Sequence, residues 1–410
     1  MKKDGRKSGK NAKSFIFIEM TIYLLFALGP LTGNVILVLF GILSVDFSVA
    51  ESAIFVAIPS FMFPFAITQL FSGSISDIKG RFNVILFGLS IFGLGMVFAM
   101  LSTSLPIYVV ANVLGGIGFG FVNPVLIALM TDITKGPNIP KKMGYLGAVA
   151  NLGVGFGPII AGQIVFLGWQ YLYLLFIIIT LIGFIILIAL KQPTRASPQN
   201  VGMRLFLKHI SYEIRRSVVL FLIFTAFLIT QTYLAIITMT SRAFTGVLPE
   251  DITGWVIGSA GLTGAIAGVI FGNIIKLKGV KIAIISGLIS LYISILIFLI
   301  LGDITNLSLL FYTTIGLIFT GAAGGILLPS MMFYSQTLSK ERRGALAGLV
   351  TAGQFIGIAL VPIIYNSIYD YGGIEMVYLV VLIVSFLLIF IIIILYTSAK
   401  KTENKDKKDL

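Results

Sequence analysis

The sequence predicts an all-α polytopic membrane protein in which twelve transmembrane helices form two six-helix bundles. Three observations predict it: twelve long apolar runs, cations confined to the chain ends and to every second gap between those runs, and a hydrophilic centre that divides the runs six and six. Composition excludes the alternatives. With 58% hydrophobic and 11% charged residues and a mean hydropathy of +1.05, the chain lacks the polar residues to cover a soluble surface.

An apolar helix needs about 20 residues to cross the hydrocarbon core. Runs long enough fall at 15–43, 51–76, 83–103, 106–131, 142–167 and 169–190, and again at 217–241, 250–275, 280–301, 306–334, 344–369 and 374–397. They lack period-two alternation and are about twice as long as barrel strands, so helices are the only spanning structure open to them. The first run follows a basic tail in the manner of a signal peptide. It is too long for an h-region and carries no A-x-A site, so it is expected to stay in the mature protein.

Short loops rich in Lys and Arg remain cytoplasmic. Of the 29 Lys and Arg, all but Arg242 lie in the tails, in the central segment 191–216, or in the gaps holding Lys79/Arg81, Lys135/Lys141/Lys142, Lys276/Lys278/Lys281 and Lys340/Arg342/Arg343. The opposite gaps carry Asp46, Glu51, Glu250, Asp251, Asp303, Asp370 and Glu375. A multi-pass cell-membrane protein with both termini cytoplasmic is expected. The +13 net charge is thereby a topology signal, and nucleic acid is not an expected partner. The basic tails can touch anionic lipid headgroups, an attraction of roughly 1 kcal/mol per cation.

The organisation that follows is a cytoplasmic tail 1–14, a bundle 15–190, a cytoplasmic linker 191–216, a second bundle 217–399 and a tail 400–410. Within the linker, Met203, Phe206, Leu207, Ile210 and Ile214 recur at helical spacing, with Arg204, Lys208, Arg215 and Arg216 on other faces. That pattern predicts an amphipathic helix on the inner membrane surface, with His209 on its solvated face. The halves also repeat at an offset of about 200 residues: Gly144, Gly153 and Gly157 recur as Gly344, Gly353 and Gly357, and Gly73 with Gly80 as Gly272 with Gly279. A parallel repeat of this kind places a cavity between two halves that rock against each other.

Between the second and third runs stands Gly73-Ser-Ile-Ser-Asp77-Ile-Lys79-Gly80-Arg81, a short loop that resembles the signature loop of the major facilitator superfamily. The resemblance implies a latch: Gly73 and Gly80 for close approach and a sharp turn, Asp77 and Arg81 as an ion pair, and Asp132 as the partner of Arg81. The second copy, ending in Lys276-Leu-Lys278-Gly279, lacks the acid, so an asymmetric gate is expected. The fifth run carries Gly144, Gly153, Gly157-Pro158 and Ala161-Gly162 and is similar to the motif of drug/proton antiporters in that superfamily. The motif implies a glycine seam between the halves, loosened by Pro158; lipid-embedded helix packing alone also selects such small residues. Gly115-Gly116-Ile-Gly118, Pro124, Thr131-Asp132 and Gly168-Trp169 follow the order of the drug-efflux branch. The resemblance spans the whole chain and implies the major facilitator fold and proton-coupled, alternating-access export of small lipophilic compounds.

The sequence departs from that branch where a buried Arg and an embedded Asp are usual; Asn112 and Asn34 stand there. Ionisable groups at mid-membrane depth are expensive and mark proton paths, and these runs show almost none. Glu19, one turn into the first run, is the candidate proton site, with snorkelling to the headgroups as the alternative. Asn34, Asn112, Asn123, Gln231, Tyr233 and Tyr334 are the candidate cavity residues, joined by Gln69 and Gln354. So few polar groups fit a lipophilic substrate better than a sugar or amino acid. Arg242 is expected to meet an anionic substrate or to pair with Asp251 or Glu250.

Other functions are disfavoured. The chain has no cysteine and no P-loop, so neither thiol chemistry nor ATP is expected, and no cofactor or metal is called for. No H-E-x-x-H or G-x-S-x-G marks an enzyme. An uncoupled facilitator, a narrow-specificity metabolite exporter and a membrane sensor remain as alternatives.

Overall fold

The computed structural model describes residues 3–134, 138–190, 203–339 and 342–406. Part of the expected linker, 191–202 with Pro193 and Pro198, lies outside the described residues, as do Lys135 and Lys340. The described chain is helical throughout, with no strand. The first half contains α1 (Lys3–Asp46), a short α2 (Glu51–Ile54), α3 (Ala57–Lys79), α4 (Arg81–Met100), α5 (Leu105–Ile133), α6 (Ile139–Ile164) and α7 (Gln170–Ala189). After α8 (Met203–Ile214), the second half contains α9 (Ser217–Phe244), α10 (Glu250–Lys278), α11 (Val280–Leu301), α12 (Leu310–Thr337) and α13 (Arg343–Asp406).

Twelve spans result. The apolar stretch Ala345–Ser398 in α13 is 54 residues long, too long for one crossing. Gly372 (φ −140°, ψ 19°) and Gly373 (φ 67°, ψ −167°) break its helical backbone, so α13 supplies the eleventh and twelfth spans as separate segments. The second expected run also differs: the chain makes the single turn of α2 before α3 starts. Pro59 then falls in the first turn of α3, where a missing N–H costs no intrahelical bond.

Each half is assembled by close helix contacts at small residues, since lipid supplies no hydrophobic drive between helices. In the first half α4 meets α5 where a Cβ on Gly95 would lie 2.7 Å from the Gly115 nitrogen, and α5 meets α3 where one on Gly116 would lie 2.1 Å from the Phe61 carbonyl. In the second, Gly321 abuts Ala260 and Gly325 abuts Gly264 between α12 and α10. The halves meet along two main seams, α6 against α10 and α3 against the first segment of α13, and α1 also touches α9 and α10.

The two ends of the molecule differ in charge. One, the basic end, carries Arg81, Lys141, Lys142, Lys278, Lys281 and Arg342; the other, the acidic end, carries Asp46, Glu51, Glu250, Asp251, Asp303, Asp370 and Glu375. The α6–α10 seam is tight towards the acidic end. A Cβ on Gly162 would reach 2.3 Å from the Glu250 carbonyl, one on Gly254 2.5 Å from the Pro158 carbonyl, and one on Gly261 2.2 Å from the Gly155 nitrogen. Midway, the Phe65 and Phe355 rings meet edge to face at 4.4 Å. Nearer the basic end, positions Gly73, Gly144, Gly147 and Gly272 would each meet nothing within 4 Å.

Candidate functional site

The turn between α3 and α4 is made by Gly80 at φ 90°, ψ 138°, a backbone conformation that essentially only glycine adopts. It places Arg81 at the first position of α4, pointing back along α3. Arg81 Nη1 lies 2.5 Å from Asp77 Oδ1 and donates to Ser76 Oγ at 2.5 Å and to the Gly73 carbonyl at 3.4 Å. Its Nε donates to Asp132 Oδ2 at 3.0 Å, from the last turn of α5. The structure thus brings Gly73, Asp77, Gly80, Arg81 and Asp132 into one cluster, with Ser76 as a member that the loop pattern did not single out. The side chain of Arg81 is 14% exposed but those of Asp77 and Asp132 are 37% and 47% exposed. Exposed ion pairs contribute about 0–1 kcal/mol each, so the cluster orients three helix ends more than it stabilises them.

Two expectations about the glycines are corrected. Gly73 makes no close helix approach: a Cβ there would meet nothing within 4 Å. On α6, Gly153 and Gly157 face α1 of their own half: their Cβ positions lie 2.8 Å from the Ala27 carbonyl and 2.9 Å from the Leu31 carbonyl. The seam between halves is made instead by Gly155, Pro158 and Gly162, while Gly144 touches nothing. Gly155 went unnoticed because the motif skips it; its spacing of three and seven residues to Pro158 and Gly162, one helical stripe, was the available signal.

The candidate cavity residues do not converge on the cavity described. Asn34 and Asn112 donate to carbonyls of their own helices, Pro30 at 2.7 Å and Tyr108 at 2.8 Å. Gln231 donates to the Gly357 carbonyl at 2.7 Å, across from α9 to α13. Tyr233 packs on Gly324, Tyr334 has its ring 5.2 Å from that of Tyr396, and Asn123 is half-buried. A cavity of about 560 Å³ lies at the acidic end, with Leu37, Gly41, Asp46, Glu51, Ser241 and Phe244 among its walls, and it includes none of the six. Bonding of Asn side chains to their own backbone is what local competition predicts. It uses one N–H of each amide, and Asn112 also lines a second, smaller cavity with Phe61 and Tyr108.

Glu19 is ion-paired with Lys142 of α6 and accepts a hydrogen bond from Tyr23 at 3.1 Å, so it is a partnered carboxylate tying α1 to α6. Arg242 pairs with Asp370, 2.5 Å away, rather than with Asp251 or Glu250; the fold brings the ends of α9 and the eleventh span together. The linker forms the expected helix, α8, with Lys208, Ser211, Tyr212 and Arg215 exposed. The side chains of Met203, Arg204, Phe206 and Leu207 lie outside the described residues, Ile210 packs against the second half, and Ile214 is exposed. Glu213 is fully buried, 2.8 Å from Arg216 Nη1 and 3.0 Å from Arg342 Nε.

A sequence profile of the Major Facilitator Superfamily matches residues 22–249 and 241–410. Multidrug resistance protein 2 of Bacillus subtilis is 23% identical over 322 residues, 75% of this chain and 78% of that protein. Quinolone resistance protein NorA of Staphylococcus aureus is 23% identical over 321 residues, 75% of this chain and 79% of its own. The crystal structure of the nucleoside transporter NupG superposes with a TM-score of 0.72 at 13% identity, covering 93% of this chain and 99% of that one. With twelve spans in two bundles, the signature turn at Gly80 and a family profile that runs from the first span to the C-terminus, the chain belongs to the major facilitator superfamily.

Proposed function

We propose that this protein is a secondary active transporter that exports small lipophilic compounds by alternating access, with protons as the coupling ion. The observation that carries the reading is the asymmetry of the α6–α10 seam, closed towards the acidic end and open at Gly144, Gly147 and Gly272 towards the basic end. The positive-inside rule puts the basic end in the cytoplasm, so the opening faces the compartment from which an exporter collects its cargo. Relatives named for multidrug and quinolone resistance, matched over three quarters of the chain, support export of drug-like compounds. A lipophilic cargo suits spans with so few polar and ionisable side chains at mid-depth.

In this reading Asp77, Arg81 and Asp132 form a latch assembled within the first half, ready to engage the second half when the basic end closes. Glu19 is the proton site: a proton arriving there releases Lys142, and the α1–α6 tie loosens. An uncoupled facilitator is the second reading, favoured by the scarcity of ionisable side chains deep in the spans.

The test is uptake of a lipophilic dye into proteoliposomes under an imposed proton gradient, with gradient-free vesicles and Asp77→Asn protein as controls. Gradient-driven accumulation that the variant loses is the expected result. Equilibration without accumulation supports the facilitator instead, and wild-type turnover by Asp77→Asn removes the latch.

A further inference from the structure

Arg242 sits in the last turn of α9 at the acidic end, and its side chain is only 10% exposed. Its guanidinium is engaged on its edges and its face. Nη2 meets Asp370 Oδ1, Nη1 donates to the Asn366 carbonyl at 3.3 Å and to the Asn366 side-chain oxygen, and the plane lies over the Tyr369 ring at 4.2 Å. Those partners belong to the second half. The Phe55 ring, 5.4 Å from the same guanidinium, belongs to the first.

The cluster crosses between the halves at three further points. Asn366 Nδ2 donates to the Ser52 carbonyl at 3.5 Å, Ser241 donates to the Leu37 carbonyl, and Thr245 fills the space beside Gly41, where a Cβ would come within 2.6 Å. Glu51 of the first half adds to the crossing, hydrogen-bonded to Thr245 and close enough to Arg242 to feel its charge. We propose that Arg242 is the keystone of a gate that holds the acidic end shut, fixing Asn366 and Ser241 against the first half through its fork and its stack on Phe55. The inference rests on the alternating-access reading above.

The chemistry explains why the residue is arginine. A planar guanidinium can grip a carboxylate and an amide along its edges while its face lies on aromatic rings; an ammonium is a point charge that does one of these at a time. To open this end, the second half must leave the Phe55 ring and the Ser52 and Leu37 carbonyls together.

The chain has no cysteine, so single-cysteine reporters work without background. Thr238→Cys sits one turn deeper than Ser241 on the same stripe of α9 and is 4% exposed. Gly147→Cys lies in the open space of the basic end. Each is labelled with a hydrophilic maleimide in nanodiscs, where both ends are accessible and no substrate is needed. With Arg242→Gln, labelling of Thr238→Cys is expected to rise by about tenfold, the factor for losing one charge-assisted hydrogen bond, while Gly147→Cys slows. Arg242→Lys falls in between, and Asp370→Asn moves both rates the same way but less. Unchanged rates overturn the proposal, and so do two rates that rise together, which marks general loosening. If Arg242→Gln does not fold, Asp370→Asn and Asn366→Ala carry the same test. Opposed changes in labelling from a protein that moves no dye leave the gate standing and remove only the cargo.

Discussion

At the scale of single residues, two glycines with one geometry separate turn from latch. Gly80 and Gly279 hold φ near 90° and 84° at equivalent turns of the two halves, but only Gly80 is followed by an arginine gripping two carboxylates. A Cβ at either position is strained by about 1–3 kcal/mol. Gly80→Ala and Gly279→Ala are therefore expected to lower the melting temperature in detergent similarly, while dye transport falls only in Gly80→Ala. Equal transport losses would show that Arg81 needs no fixed position. The turn and its charged residues were legible because a short loop fixes which side chains can meet. Ser76 was not: its bond to Arg81 depends on how far the guanidinium folds back along α3, which spacing does not specify. The faces of Gly153 and Gly157 were misjudged for a related reason, since two residues along a helix turn a side chain by about 200°.

At the scale of the element, α8 buries a charge where a purely membrane-facing helix would have none. Glu213 lies on the stripe of Ile210 and Ile214, and the presence of an acid among those apolar residues was the sequence signal that this face meets protein rather than lipid. Arg216 begins the seventh span and Arg342 precedes the eleventh, so the buried carboxylate ties α8 to two helices that pack on each other. Removing one member of a fully buried pair costs about 3–5 kcal/mol; here Arg216 and Arg342 are 25% and 24% exposed and can rehydrate, so a smaller loss is expected. Glu213→Ala should raise hydrogen exchange across α8 by an order of magnitude or more while the cores of α9 and α13 keep their protection, with Glu213→Gln intermediate. Uniform loss of protection would mean that Glu213 holds the whole half together instead of one helix.

At the scale of the whole molecule, the fold was legible because each span is set by length and hydropathy, and the repeat of about 200 residues pairs the halves. Which end is closed was not legible, since one sequence must encode both arrangements of a rocking molecule. The structure supplies that information through its glycines. Gly155 is pressed against α10, where an added Cβ would lie 2.6 Å from the Leu262 nitrogen, whereas Gly147, about two turns away on the same helix, faces open space. A glycine without a contact is costly in a helix interior, by about 1 kcal/mol relative to alanine, so its place is explained if the contact forms in the other arrangement. Gly147→Leu is then expected to express normally with thermal stability slightly raised, because the helix loses its glycine and nothing in the present arrangement opposes the side chain. Turnover should nevertheless collapse, with substrate still binding from the basic end, because that end can no longer close. Gly155→Leu should do the reverse in order of cause: it clashes in the present arrangement, so stability falls first and transport with it. If Gly147→Leu turns over at the wild-type rate, the basic end does not close on α6, and the rocking motion must pivot elsewhere.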